Sequence, residues 1–326
     1  MQLPTREDVL AAARRIEGHV IRTPVLRNAE LDRITGGTIL IKPEPLQRTG
    51  SFKFRGATNA MLQLTQAERR AGVVAHSSGN HGQAIACAAA ALGMQATIVM
   101  PADAPAVKVD STRRWGASIV TYDRARDDRE AISRAIAERS GAALIPPFDH
   151  PHVIAGQGTA ALELLADAGQ TLDALLVCTG GGGLVAGSAL AAEAVRVYAV
   201  EPEDSDDTAH SLRSGQREVN ATGGSTLCDA LLSQQPGVLT FAINRARLAG
   251  GLVVSDAEVL AAMAFAFLHL KLVVEPGGAV ALAALLSGRF AARGLVVGAV
   301  LSGGNVDRAV FVRALSVQPI PIATLP

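Results

Sequence analysis

Short β-branched runs alternate with longer alanine-rich stretches of helical period along most of this chain, and that rhythm constrains its fold more than any other feature. The runs are Ile39 to Ile41, Val73 to Ala75, Ala96 to Met100, Ser118 to Tyr122, Leu175 to Cys178, Arg196 to Val200 and Leu295 to Leu301. Several are apolar throughout instead of alternating, the pattern of parallel strands covered by helices on both faces. The spacing predicts βαβ units and an α/β, doubly wound architecture. At 326 residues and 49% apolar content the chain is long enough for two lobes. Turn formers crowd into Pro146-Pro147-Phe148-Asp149-His150-Pro151, which places a lobe boundary near residue 150.

Composition narrows the function classes. Thirty Lys plus Arg balance thirty Asp plus Glu, without a block of one sign, so neither nucleic acid nor an anionic membrane is expected as a partner. A small-molecule ligand fits better. Cys87, Cys178 and Cys228 are odd in number and far apart, which argues against a disulfide framework and for a reducing compartment. The start lacks the apolar core and cleavage site of a signal peptide, and no apolar run is long enough to span a bilayer, so a cytoplasmic protein is expected.

Four segments carry candidate chemistry. Lys53 lies between Phe52 and Phe54, where partial desolvation lowers an amine's pKa and makes it a better nucleophile toward an aldehyde. Alone, it could equally be a lysine snorkelling beside core aromatics. The run Ser77-Ser78-Gly79-Asn80-His81-Gly82-Gln83 follows a strand and precedes a helix placed at Ala84 to Leu92, the setting for binding a carboxylate or phenolate. Thr179-Gly180-Gly181-Gly182-Gly183-Leu184 is a second strand-to-helix turn, whose four glycines let backbone amides close around a phosphate. Ser302-Gly303-Gly304-Asn305 ends a third strand in a small polar turn. Such sheet-end turns are where α/β proteins bind ligands. The third run also imitates a dinucleotide fingerprint, Gly181-x-Gly183-x-x-Ala186 with Glu201 closing the next strand, and so keeps an NAD-dependent oxidoreductase open as an alternative. A non-catalytic ligand-binding protein on the same scaffold is a third reading.

Taken in order, SFKFRGA, SSGNHGQA, TGGGGL, EPGGA and LSGGN resemble the fold-type II pyridoxal-phosphate enzymes, in particular the threonine dehydratase, serine racemase and 3-hydroxyaspartate dehydratase group. The resemblance covers nearly the whole chain. It implies a two-lobed, tryptophan synthase β-like fold with residues 1–70 plus 150–326 in a large cofactor domain, 71–149 in a small one and no C-terminal regulatory domain. It further implies that Lys53 carries pyridoxal 5′-phosphate as a Schiff base and shuttles the Cα proton, while Gly180 to Leu184 hold the phosphate. Phe52 and Asn80 would flank the ring, with Asn80 on its hydroxyl, and Ser302 would face the ring nitrogen. A neutral hydroxyl there suits elimination or racemisation better than transamination. The substrate carboxylate would rest on Ser77, Ser78, Asn80 and His81, with Arg129 as a second anchor. Ser78 would face Cα opposite Lys53, where a racemase keeps its second acid or base. In Glu201-Pro202-Glu203-Asp204-Ser205-Asp206-Asp207, the metal-dependent members imply Glu201, Ser205 through its carbonyl, and Asp207 as ligands, an oxygen set suited to Mg²⁺ or Ca²⁺. The expected reaction is elimination of water and ammonia from serine, threonine or 3-hydroxyaspartate, with racemisation as the alternative and a homodimer as the assembly.

Overall fold

The computed structural model describes residues 2–77, 79–104, 106–221 and 225–317. Two sheets organise it. The larger has the order β1 (Leu26–Arg27), β2 (Thr38–Pro43), β10 (Val296–Leu301), β7 (Ala174–Cys178), β8 (Arg196–Pro202) and β9 (Gly250–Val254). The smaller runs β5 (Ser118–Tyr122), β4 (Ala96–Pro101), β3 (Val73–His76) and β6 (Ala143–Leu144). Every pairing is parallel except β1 with β2. All seven strands expected from the sequence form, most within a residue or two of the expected ends. The additions are β1 and β6, two residues each, and β9, which opens on Gly250-Gly251 and so lacks the β-branched signature at its start.

The central strands behave as the apolar runs require. All five residues of β7 are buried, as are five of six in β10. Helices Pro151–Asp167, Gly183–Ala191 and Pro276–Leu286 cover this sheet, and the last is buried along its whole length. Close helix contact demands glycine: a Cβ on Gly156 would lie 2.7 Å from the Cα of Gly56, so helices Lys53–Leu62 and Pro151–Asp167 meet backbone to backbone.

Beneath the Lys53 helix lies a buried ion network that the sequence pattern does not reveal. Arg55, fully buried, forks onto Glu44 (2.8 Å through both Nε and Nη2) and onto Glu163 (2.7 Å from Nη1, 2.9 Å from Nη2). Lys42 donates to Glu163 at 2.6 Å and to the Thr23 carbonyl at 2.7 Å, and the Thr23 hydroxyl donates to Glu44 at 2.7 Å. Two cations and two carboxylates balance. Burial opposes the Arg55 charge, but Glu44 and Glu163 outweigh it and raise its pKa above the usual arginine value.

Parallel order decides where the site falls. Because β2, β10 and β7 are parallel neighbours, the segments that follow them, 44–53, 302–305 and 179–183, leave from the same edge of the sheet. No helix among the described residues is long and apolar enough to cross a membrane.

Candidate active site

Lys53 is the first residue of helix Lys53–Leu62. Its loop is stitched to the turn after β10: the Phe52 N–H donates to the Ser302 carbonyl (3.0 Å), the Gly304 N–H to the Gly50 carbonyl (2.9 Å), and Ser51 pairs with Gly303. Lys53 Nζ donates to the Pro147 carbonyl at 2.7 Å and sits 5.1 Å from the centre of the Phe52 ring. Burial lowers its pKa to about 8, against a smaller upward pull from Cys178 and Glu275. Burial holds Cys178 at about 11, so it is a neutral thiol at physiological pH, beside the buried Ser302.

A pH dependence follows from the direction of that shift. Neutral amine is the reactive form, and a lysine titrating near pH 8 is roughly one-tenth neutral at pH 7, against less than about 0.1% for an ordinary lysine. The rate at which cofactor-free protein takes up an aldehyde should therefore climb between about pH 7 and 8 and level off above. A climb persisting to pH 10 would contradict a softened Lys53.

The glycine turn after β7 behaves as an anion cradle. Among the described residues, the backbone N–H groups of Gly180 to Val185 find no acceptor; the first helical bond is Ala186 to Gly182. Six consecutive donors without acceptors among the described residues, at the start of helix Gly183–Ala191 and aided by the helix dipole, are a geometry that can take an anion. A Cβ on Gly181 would lie 2.3 Å from the Phe148 ring, and Gly182 sits at φ +91°. Side chains are therefore excluded from the turn, and Leu184 is buried behind it.

The second turn differs from its reading in sequence. Helix Asn80–Ala91 starts four residues earlier than expected, because its first turn is polar and carries no apolar periodicity. Ser77 Oγ accepts from Gly79 N–H (3.1 Å), and among the described residues the N–H groups of Asn80, His81 and Gly82 have no acceptor. Asn80 is held from both sides: its Nδ2 donates to Glu275 at 2.6 Å, and its Oδ1 accepts from Asn305 Nδ2 at 2.8 Å. His81 offers no charge to a carboxylate. Burial first, then Lys53, lower its pKa to about 3, and its Nε2 meets the Ile145 carbonyl at 2.9 Å. What it can offer is its backbone N–H. Arg129 stands apart, exposed at the first position of helix Arg129–Ser140, although its charge reaches His76, the residue before Ser77. Ser78 and the tail from residue 318 lie outside the described residues.

Glu201 lies within electrostatic reach of Asp207. Burial and then Asp207 raise the Glu201 pKa well above the carboxylate range, and burial moves Asp207 to about 7. Asp207 Oδ1 accepts from Asn220 at 2.7 Å, while its buried Oδ2 has no partner among the described residues. Ser205 Oγ donates to the Leu231 carbonyl, leaving its own main-chain oxygen as the candidate ligand. No group of three or more His, Cys, Asp or Glu side chains gathers as a metal site among the described residues, so any site here rests on two carboxylates plus backbone oxygen. The dinucleotide alternative fails on the same residue. Glu201 is fully buried and accepts from the Thr208 (3.0 Å) and Ala209 (2.7 Å) amides, so it cannot meet a ribose.

Two contributors take roles that their sequence runs do not specify. Glu275 orients Asn80. The segment Pro147-Phe148-Asp149, expected there as a lobe crossing, touches the Lys53 amine through Pro147, Gly181 and Gly183 through Phe148, and helix Val238–Arg247 through Asp149.

Comparisons with known proteins bear on the family and the fold as a whole. The profile of a family described as "Pyridoxal-phosphate dependent enzyme" matches residues 16–303. L-threo-3-hydroxyaspartate ammonia-lyase of a Pseudomonas species is 51% identical over 311 residues, covering 94% of this chain and 97% of that protein. Serine racemase of Schizosaccharomyces pombe is 45% identical over 309 residues, covering 94% and 95%. Among solved structures, serine racemase of Dictyostelium discoideum shares a TM-score of 0.87 at 39% identity over 93% of this chain and 99% of its own.

Proposed function

Since the chain belongs to the pyridoxal-phosphate-dependent enzymes, we propose that it is a carbon–nitrogen lyase that converts a β-hydroxy amino acid to a keto acid and ammonia, with 3-hydroxyaspartate as its leading substrate. One observation carries the reading: a softened, half-buried lysine amine on the same sheet edge as a glycine turn whose six backbone donors have no acceptor among the described residues. Lys53 would hold the cofactor aldehyde, Gly180, Gly181, Gly182, Gly183 and Leu184 its phosphate, Asn80 its ring hydroxyl and Ser302 its ring nitrogen, beside Phe52. When bound, the cofactor supplies the electron sink that makes the α-proton of an amino acid labile.

The chain's own groups supply the rest. The unpaired amides at Asn80, His81 and Gly82 bind the substrate carboxylate with Ser77 and Ser78, and Arg129 adds positive charge from the surface side. Lys53 Nζ, once free, takes the Cα proton, a transfer suited to an amine that titrates near neutral pH. Ser302 lies buried beside a neutral thiol, and its uncharged hydroxyl would not hold a ring nitrogen protonated as a carboxylate would, which favours prompt loss of the β-hydroxyl. In balance, the Cα hydrogen and Cβ hydroxyl leave as water; the enamine so formed takes up water and releases ammonia.

The preference for 3-hydroxyaspartate rests on the relative that is 51% identical over nearly the whole chain. The division into lobes 71–149 and the remainder, and a homodimeric assembly, belong to the same proposal. Release of keto acid and ammonia should be assayed with serine, threonine and the four 3-hydroxyaspartates, together with the enantiomer of recovered substrate. Turnover of a 3-hydroxyaspartate at one-to-one keto acid and ammonia supports the proposal. Absence of keto acid from every substrate, or racemisation alone, overturns it.

A divalent cation also fits the donor set at Glu201, Asp207 and the Ser205 carbonyl. Two neighbouring buried carboxylates, one with an unpartnered oxygen, gain a counter-charge from Mg²⁺ or Ca²⁺. Exhaustive chelation should lower the melting temperature by several degrees, and Mg²⁺ should restore it. An unchanged melting curve and unchanged turnover would remove the metal.

A further inference from the structure

Helix Val238–Arg247 takes no part in the roles above, yet it stands directly behind the glycine turn. Two of its buried residues, Thr240 and Asn244, face Gly182: a Cβ placed there would lie 2.8 Å from Asn244 Nδ2 and 3.0 Å from Thr240 Oγ1. The Gly181 carbonyl points at the same helix. It accepts from Thr240 Oγ1 at 2.7 Å and from the Gly237 N–H at 3.3 Å. In a trans peptide the carbonyl and the following N–H point in opposite directions. Holding the Gly181 oxygen against the helix therefore turns the Gly182 N–H away from it, out of the turn. Without that hold, a peptide between glycines can rotate at little steric cost.

The helix is itself fixed. The Asp149 carboxylate accepts from the N–H groups of Val238 (2.9 Å), Leu239 (2.8 Å) and Thr240 (3.1 Å), satisfying the free donors of its first turn. Fit is close enough that a Cβ on Gly237 would lie 2.4 Å from Asp149 Oδ1. Asp149 follows Phe148, whose ring closes over Gly181. The glycine turn is thus gripped on one side by a ring and on the other by a capped helix.

We propose that Thr240, backed by the Asp149 cap, is a positioning residue that aims the Gly182 amide at the cofactor phosphate. The proposal rests on the pyridoxal-phosphate reading and adds to it a residue pair outside the glycine motif.

Apo-protein should be titrated with pyridoxal phosphate and with pyridoxal, which lacks the phosphate, following absorbance of the lysine adduct. Thr240→Val keeps the shape and removes the donor; it should weaken pyridoxal phosphate about five- to tenfold, the effect of one lost hydrogen bond, and leave pyridoxal unchanged. Thr240→Ser, which keeps the hydroxyl, should bind both like the parent. Asp149→Asn should show the same selectivity for the phosphate form, and it tests the brace independently if Thr240→Val does not fold. Equal weakening of both aldehydes, or no weakening of the phosphate form, overturns the proposal. Failure of the parent protein to bind either aldehyde overturns the functional reading beneath it.

Discussion

Replacement of Lys53 by alanine should lower turnover by roughly 10³-fold or more, since proton transfer by a positioned base alone contributes about 10² to 10⁴ and the covalent anchor is lost with it. The variant should still fold. Among the described residues the Lys53 side chain makes one hydrogen bond, to the Pro147 carbonyl, and its removal also relieves the cost of desolvating an amine. Retained structure with lost turnover separates chemistry from stability. Comparison of kcat, adduct absorbance and melting temperature between parent and variant checks all three, and a variant with parental kcat would end the assignment.

Arg55 should give the opposite result. Arg55→Met leaves the buried Glu44 and the partly buried Glu163 without their shared cation, while Lys42 hydrogen-bonds only Glu163. Breaking a buried ion pair by removing one partner typically costs about 3 to 5 kcal/mol, so the denaturation midpoint should fall sharply in the cofactor-free protein. Arg55→Lys should recover only part of that loss, because an ammonium cannot reproduce a fork onto two carboxylates. Arg55 lies two residues after Lys53 on one helix, so some activity will fall as well. The destabilisation must nevertheless appear without cofactor. A denaturation curve within about 1 kcal/mol of the parent would mean that the network contributes little.

These two residues illustrate what is and is not legible in the chain itself. Lys53 stands out by its company: a glycine turn and a polar turn, each following an apolar strand, are local anomalies of composition with a local cause. The larger sheet is legible for a similar reason, since β7 and β10 are buried on both faces and so apolar along nearly their whole length. Arg55, Glu44 and Glu163 are not legible. Their pairing depends on Glu163, 108 positions beyond Arg55, meeting the other two in space. The same holds for Glu275 on Asn80, across 195 positions, and for Thr240 on the Gly181 carbonyl, across 59. Helix Asn80–Ala91 begins earlier than its apolar rhythm indicates because its first turn exists to present free amides, and no such rhythm marks a turn of that kind.

The segment Pro147-Phe148-Asp149 shows how far a local reading can mislead. Prolines and an aspartate signal a turn, and a turn they make. Its importance lies in what each residue reaches: the lysine amine, the glycine turn and the helix behind it. Dense turn chemistry can therefore build a site as well as redirect the chain.

The account turns on Lys53 as the residue that carries the cofactor, and the chain offers only four lysines: Lys42, Lys53, Lys108 and Lys271. Lys42 is engaged by Glu163 and the Thr23 carbonyl, and Lys271 donates to the Leu268 carbonyl. The most direct test is borohydride reduction of cofactor-saturated protein followed by peptide mass mapping. A single pyridoxyl adduct on the peptide containing Lys53 is the predicted result; an adduct on another lysine, or none in active protein, would contradict it.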